Sequence, residues 1–296
     1  MQKRVTTYIA LTLSTLFWGL SFIAVKIALT DFTPFAYMFL RFALASVFFL
    51  VLMLVRGFPK LEAGDHKKLF LIGLFEPGLY FIFETFGLTY TTASKASIII
   101  AALPVIVLLL ARLFLNEKIS GKSVWGVILS MAGIIILILG DPKFSISSAG
   151  AVIGDVLIFG AVISAAFYMI IARDLGQKLS AFEITSFQVF YGAILFAPLF
   201  LMNMGSVQWA EISVSAAGAV VFLAVFATVL AYLFNNYALT QIPASQAAVF
   251  INGIPVVTTI GAWFILDERL TLLQAAGGAL VLIAVMVANK PAGRTL

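Results

Sequence analysis

Cysteine is absent from the 296-residue chain, which excludes disulfides, thiolate-ligated metals and thiol nucleophiles. Histidine occurs once, as His66, in a basic stretch between apolar runs, so neither a histidine metal site nor a Ser-His pair can be assembled. Charge is scarce. Asp, Glu, Lys and Arg make up 10% of the residues, against about 25% in an ordinary soluble domain. No G-x-x-x-x-G-K-[ST] run is present, so ATP is not an energy source within this chain, and no other cofactor fingerprint occurs. The sequence therefore predicts no metal and no cofactor. A catalytic cluster at a membrane interface is lacking too, which argues against an enzyme.

What fills the chain is apolar. Hydrophobic residues account for 62%, mean hydropathy is +1.13, and the apolar residues fall in blocks of about twenty, the length that crosses roughly 30 Å of hydrocarbon. The expected fold is an all-α integral membrane protein with ten transmembrane helices, at 6–28, 34–55, 67–88, 92–114, 121–139, 150–172, 182–203, 213–238, 243–265 and 272–289. The first block is too long for a signal-peptide core and lacks a small-residue cleavage site before Lys26, so it is expected to be a retained span.

With the N-terminus in the cytoplasm, 13 basic residues flank the cytoplasmic ends, including Lys118, Lys122, Lys290 and Arg294, against four on the other side: Lys26, Lys95, Lys143 and Arg269. This bias predicts cytoplasmic N- and C-termini. The net charge of +5 follows topology, so no nucleic-acid partner is expected, whereas a lipid bilayer is. Monomer and homodimer remain open.

The chain repeats itself. Leu88 to Ile119 returns 151 residues later, without a gap, as Leu239 to Leu270, and 11 of the 32 positions are identical. These include Ala93/Ala244, Ser94/Ser245, Pro104/Pro255 and Glu117/Glu268. Shared apolar composition does not bring a proline and a glutamate into register with an Ala-Ser pair. The echo extends weakly upstream: Trp18 to Lys26 aligns with Ala165 to Arg173, and Arg41 with Gln188. Gly140-Asp141-Pro142-Lys143 punctuates the middle, dividing the chain into 1–140 and 145–296. Five spans per half is odd, so the second half is expected to enter the membrane upside down, as two inverted five-helix repeats with a site between them near the midplane.

Two five-span halves, each carrying Ala-Ser, Pro and then Glu-Lys or Glu-Arg, resemble the EamA family of the drug/metabolite transporter superfamily. Phe17 to Phe22 (FWGLSF) and Gly-Leu-x-Tyr-x-x-Ala (Gly87 to Ala93) fit the same pattern. The resemblance covers the whole chain. It implies a transporter of the inner (plasma) membrane, an exporter of small organic molecules, with a cavity lined mainly by helices 1, 3, 4, 6, 8 and 9. It says almost nothing about which solute is moved.

Polar groups inside the spans point to the site, because an ionised side chain at a helix centre costs about 2.5–3.5 kcal/mol on insertion scales. Glu76, Tyr80 and Glu84 form one helical stripe, and Thr228, Tyr232 and Asn235, with Asn236 beside them, form its counterpart. A carboxyl in low dielectric suits exchange of a proton or a substrate ammonium, so Glu84, then Glu76, are the candidates for proton coupling. The alternative is a structural carboxyl, protonated or paired with Arg41 or Lys26. Arg41 can snorkel, bind a substrate carboxylate or pair with Glu84 or Glu76; pairing is the preferred expectation. Lys26, near a helix end, is expected to snorkel.

Ser94, Ser97, Ala101 and Pro104 share a face, as do Ser245, Ala248, Asn252 and Pro255, with each proline opening its helix. Trp18, Tyr80 and Tyr168 have small or polar neighbours and are the aromatics best placed to stack on a substrate. Expected substrate contacts are thus Trp18, Tyr80, Glu84, Ser97, Tyr168, Tyr232, Asn235 and Asn252. Glu117-Lys118 and Asp267-Glu268-Arg269 are expected to be salt-bridged gate or hairpin anchors. The functional expectation is a secondary active transporter exchanging a small-molecule substrate, amino-acid-like or aromatic, for protons. A passive facilitator without coupling is the alternative.

Overall fold

The computed structural model describes residues 2–116, 121–140 and 149–288. Within them every regular element is helical and no strand occurs. Helix starts follow local chemistry. Thr33 accepts the amide of Ala36, and Pro34 opens α2 (Pro34–Arg56), which follows α1 (Gln2–Ala28). Glu62 and Asp65 cap each other's backbone at the start of α3 (Ala63–Gly73), so this helix begins four residues before the expected span at 67.

Four long helices are interrupted. Between α3 and α4 (Tyr80–Tyr90) lies a wide turn at Leu74–Leu79, where Glu76 is extended (φ −145°, ψ 107°) and the Glu76-Pro77 peptide is cis. Its counterpart, Leu223–Leu230, separates α10 (Val214–Phe222) from α11 (Ala231–Gln241). The third break, a 3-10 segment at Val249–Gly253, parts α12 (Ala244–Ala248) from α13 (Ile254–Ile265). The related segment divides into α5 (Ala93–Ile100) and α6 (Leu103–Leu115) at Ala101-Ala102. Pro104 and Pro255 stand at the first turn of α6 and α13, where a missing amide costs least. The prolines thus restart helices rather than kink them.

Eight helical stretches among the described residues are long and apolar enough to cross a membrane. Two further apolar helices, α7 (Gly121–Leu139) and α14 (Leu272–Ala288), run along each other. Of the ten expected spans, eight correspond to such stretches among the described residues. The remaining helices, α8 (Ala149–Leu175) and α9 (Ala181–Asn203), bring the halves of the chain together: α4 packs along α8, α2 along α9, and α1 against α11 and α13. Outward-facing Leu54, Leu113, Met202 and Phe264 are exposed, as the lipid-facing side of a bundle requires. The expected anchors Glu117 and Lys118, and the boundary residues Asp141 to Lys143, lie outside the described residues, as do Lys290 and Arg294.

Close helix approach depends on small residues. Gly87 of α4 and Gly154 of α8 face each other: a Cβ on either would sit 3.2 Å from the other's carbonyl oxygen, and one on Gly154 would also lie 2.9 Å from Tyr90 Cβ. Backbone cannot yield as a flexible side chain can. Gly154→Leu is expected to cost about 1–3 kcal/mol and to lower the melting temperature of the purified protein. Gly218→Ala, in α10 with no atom within 4 Å of the added carbon, should melt at or slightly above the parent.

Candidate functional site

A cavity opens beside the breaks at Leu74–Leu79 and Val249–Gly253, with about 500 Å³ of empty space, open solvent included, and about 30 Å³ reachable by the centre of a water. That is room for roughly one or two waters, so the site is contracted. Residues from both halves of the chain line it: Trp18, Arg41, Glu76, Tyr80 and Glu84 from the first, Tyr168, Tyr232 and Asn235 from the second. Apolar walls come from Phe22, Phe81, Ile100, Leu103, Met169, Ile251 and Ile254, which sequence reasoning missed because apolar residues occur at every helix position.

The broken backbone explains much of the polar pattern. A carbonyl that loses its helical partner inside a bilayer must find another donor. Gln188 Nε2 donates to the carbonyl of Glu76 (3.0 Å), and Ser164 Oγ to that of Phe75 (3.0 Å). At the other break, Ala227 O accepts from Trp18 Nε1 (3.1 Å) and Arg41 Nη2 (3.3 Å). Each break is thus stitched by side chains from the opposite half of the chain. Arg41 and Gln188, which align in the sequence repeat, occupy corresponding roles.

Arg41 is engaged in this way through three of its five N–H groups. Its Nε donates to Thr228 Oγ1, its Nη1 to Tyr37 Oη (2.8 Å), and its guanidinium carbon stands 4.4 Å from the centre of the Phe81 ring. Among the described residues no ion pair within 4.0 Å joins it to Glu84 or Glu76. The expected pairing is corrected: hydroxyls, a freed carbonyl and an aromatic face hold the guanidinium, although it lines the same cavity as both carboxyls.

The carboxyls differ. Glu76, 5% exposed, accepts from Tyr232 Oη at 2.7 Å. Glu84 is 2% exposed, and its Oε2 has no hydrogen-bond partner among the described residues. Asn235 Nδ2 donates to Tyr168 Oη (3.1 Å), leaving Asn235 Oδ1 likewise without a partner. Tyr168 donates to Asn236 (2.7 Å), whose amide reaches Gln188 Oε1 (3.0 Å), so the chain of bonds runs back to the Glu76 break. The rings of Trp18 and Tyr168 flank Tyr232 edge-on at 5.5 and 6.1 Å.

Two expected contacts fall elsewhere. Ser97 does not line the cavity, and its hydroxyl donates to Ser94 O at 2.7 Å, the usual competitor for a helical serine. Asn252 lies in the 3-10 break, and its neighbours Ile251 and Ile254 face the cavity in its place.

Polar clusters sit at either end of the bundle. At one end Lys95, 1% exposed, pairs with Asp155 at 2.8 Å, and Lys26 Nζ donates to Thr91 O at 2.6 Å. Beside them Glu268 accepts from the amides of Ala93 and Ser94, both at 3.0 Å, and from Ser94 Oγ at 2.9 Å. It clasps a helix N-terminus, not a cation. Nothing in the sequence paired Lys95 with a residue 60 positions away. At the other end Lys178 meets Asp65 and Glu62, and their hydrogen bonds raise its pKa. Arg173 donates to Leu239 O at 2.7 Å.

The sequence profile of the EamA-like transporter family matches residues 5–139 and 152–290. The chain belongs to this family. Among its relatives is an uncharacterized transporter of Archaeoglobus fulgidus, 31% identical over 280 residues that cover 95% of this chain and 97% of that protein. Two uncharacterized transporters of Bacillus subtilis are also similar: YcxC at 30% identity, covering 97% and 94%, and YetK at 28%, covering 97% and 88%. One solved structure, titled only as the crystal structure of a protein, superposes with a TM-score of 0.71 at 18% identity, covering 96% and 98%, and bears on the fold alone. The chain is a multi-pass membrane transporter and not an enzyme.

Within this EamA-family chain the buried Lys95–Asp155 pair should behave as a unit. Breaking a buried ion pair by removing one partner costs about 3–5 kcal/mol, whereas replacing both with apolar residues is often neutral. Lys95→Met is expected to destabilise strongly in thermal melting, and Lys95→Met with Asp155→Leu to recover most of the loss.

Proposed function

We propose that the protein is a secondary active transporter of the inner membrane, exporting a small organic solute by alternating access and driven by inward proton flow. On this reading it has ten spans in two inverted repeats, 1–140 and 145–296, with both termini cytoplasmic. The observation that carries the proposal is one contracted cavity assembled from both halves, in which Glu84 keeps a carboxylate oxygen without a partner.

Several features support the architecture. The family profile matches twice, and two helices are broken at positions 151 residues apart, Glu76 and Ala227, each break bonded from the opposite half. The cluster around Lys95, Asp155 and Glu268 would serve as the outer gate, and that around Lys178 and Asp65 as the inner one. The positive-inside bias supports the orientation. Export rests on family membership.

Each role has a physical ground. An isolated carboxylate is costly in a low-dielectric cavity, so Glu84 is poised to hold either a proton or a positively charged group. Tyr232 holds Glu76 in place from the opposite half. Trp18, Tyr80 and Tyr168 supply rings against which an apolar body can pack.

The test is uptake of a labelled metabolite panel into proteoliposomes with and without an imposed acid gradient. The expected result is accumulation only under the gradient, with Glu84→Gln merely equilibrating the solute. Equal transport without a gradient would replace coupled transport by facilitated diffusion.

A further inference from the structure

Two unpartnered polar atoms face the cavity, Glu84 Oε2 and Asn235 Oδ1, and both are acceptors. Most of the donors around them are committed, the Tyr80 hydroxyl and two N–H groups of Arg41 excepted. Trp18 Nε1 serves Ala227 O, Ser21 Oγ serves Trp18 O, Tyr168 Oη serves Asn236 and Tyr232 Oη serves Glu76. Three of Arg41's five N–H groups are likewise directed at protein atoms. A buried acceptor without a donor is costly, and a ligand that brings N–H groups removes two such costs at once.

Charge points the same way. Two carboxyls, Glu76 and Glu84, line the cavity with a single guanidinium, Arg41. With both carboxyls ionised the lining carries one excess negative charge, which a buried site tolerates only if a proton or a cation cancels it. The walls already hold one cation on an aromatic face, Arg41 over Phe81. Trp18 and Tyr232 present further rings beside the unpartnered acceptors.

We infer that the solute is a monovalent organic amine, protonated when bound, with an aromatic or apolar body. This rests on the transporter reading above and narrows its substrate from amino-acid-like or aromatic solutes to cations. The ammonium N–H groups bond Glu84 Oε2 and Asn235 Oδ1, and the body lies among the rings. An organic anion meets two carboxyls and an arginine with three of its five N–H groups already used. A zwitterion gains at its ammonium and loses at its carboxylate.

The test is equilibrium binding to the purified full-length protein in detergent, with no gradient and no transport. Labelled 2-phenylethylammonium is the probe, and 2-phenylethanol, phenylacetate and phenylalanine are competitors of the same body. The amine should bind at least about tenfold more tightly than the alcohol or the acid, the scale of one charge-assisted contact in a desolvated site. Glu84→Gln, matched in size, should erase most of that preference while its melting temperature shows it folded. The ligand ranking in the unaltered protein does not depend on any variant. The inference is overturned if phenylacetate or the neutral alcohol matches the amine, if none of the four binds, or if the preference survives in Glu84→Gln. An amine that binds as expected but is never accumulated under an acid gradient overturns the coupled-transport reading and leaves the amine site standing. Accumulation of solutes that are not amines, with no amine binding, does the reverse.

Discussion

A bilayer offers no water to a backbone carbonyl, and this protein breaks two of its helices where that matters most. Everything at the centre of the molecule is arranged around the repair. The break at Glu76 is bonded by Gln188 and the break at Ala227 by Arg41 and Trp18, each repair coming from the other half of the chain. Each half supplies donors to the other's interrupted helix. The break and the association of the halves are therefore one physical constraint, and it fixes where a cavity can form: beside backbone that is no longer filled by regular helical packing.

Because the stitching groups are neutral or face neutral partners, the centre is held by several modest bonds and not by one strong ion pair. Arg41 illustrates the choice. A guanidinium locked to Glu84 would occupy the carboxylate oxygen that is now without a partner. Held by Thr228, Tyr37 and Ala227, it lowers the cost of nearby carboxyls without consuming either one. Glu84 and Asn235 then remain acceptors without donors, the state from which a cavity gains by binding something.

Much of this was legible in the sequence, for reasons that differ residue by residue. The apolar blocks and the 151-residue repeat were readable because span length and register are properties of one dimension. Glu76, Tyr80 and Glu84 could be placed on one face because helical spacing carries across the wide turn closely enough to keep them together. Partner choice was not readable. Periodicity puts Arg41 near two carboxyls but says nothing of a carbonyl freed 186 residues away, and that carbonyl won. Ser97 and Asn252 stand outside the cavity lining: a backbone oxygen three residues back takes the serine proton, and Ile251 and Ile254 line the cavity beside Asn252. Lys95 was assigned to a loop side by charge counting, whereas the fold buries it against Asp155, because a cation at a span end can be desolvated once an opposite charge is supplied from another helix.

The same desolvation bears on how the ends of the bundle can move. Lys95 and Asp155 are 1% and 2% exposed at their side chains, so separating them in place would part opposite charges in low dielectric. Separation becomes affordable only if water reaches both groups as they part. On the proposed mechanism, opening and wetting of that end are consequently a single event. The other end is built differently: Lys178 is half-exposed and shared between Asp65 and Glu62, so its bonds can exchange for water one at a time. A transporter with these two ends would open readily on the Lys178 side and cooperatively on the Lys95 side, an asymmetry that the repeated sequence conceals and the burial of one ion pair creates.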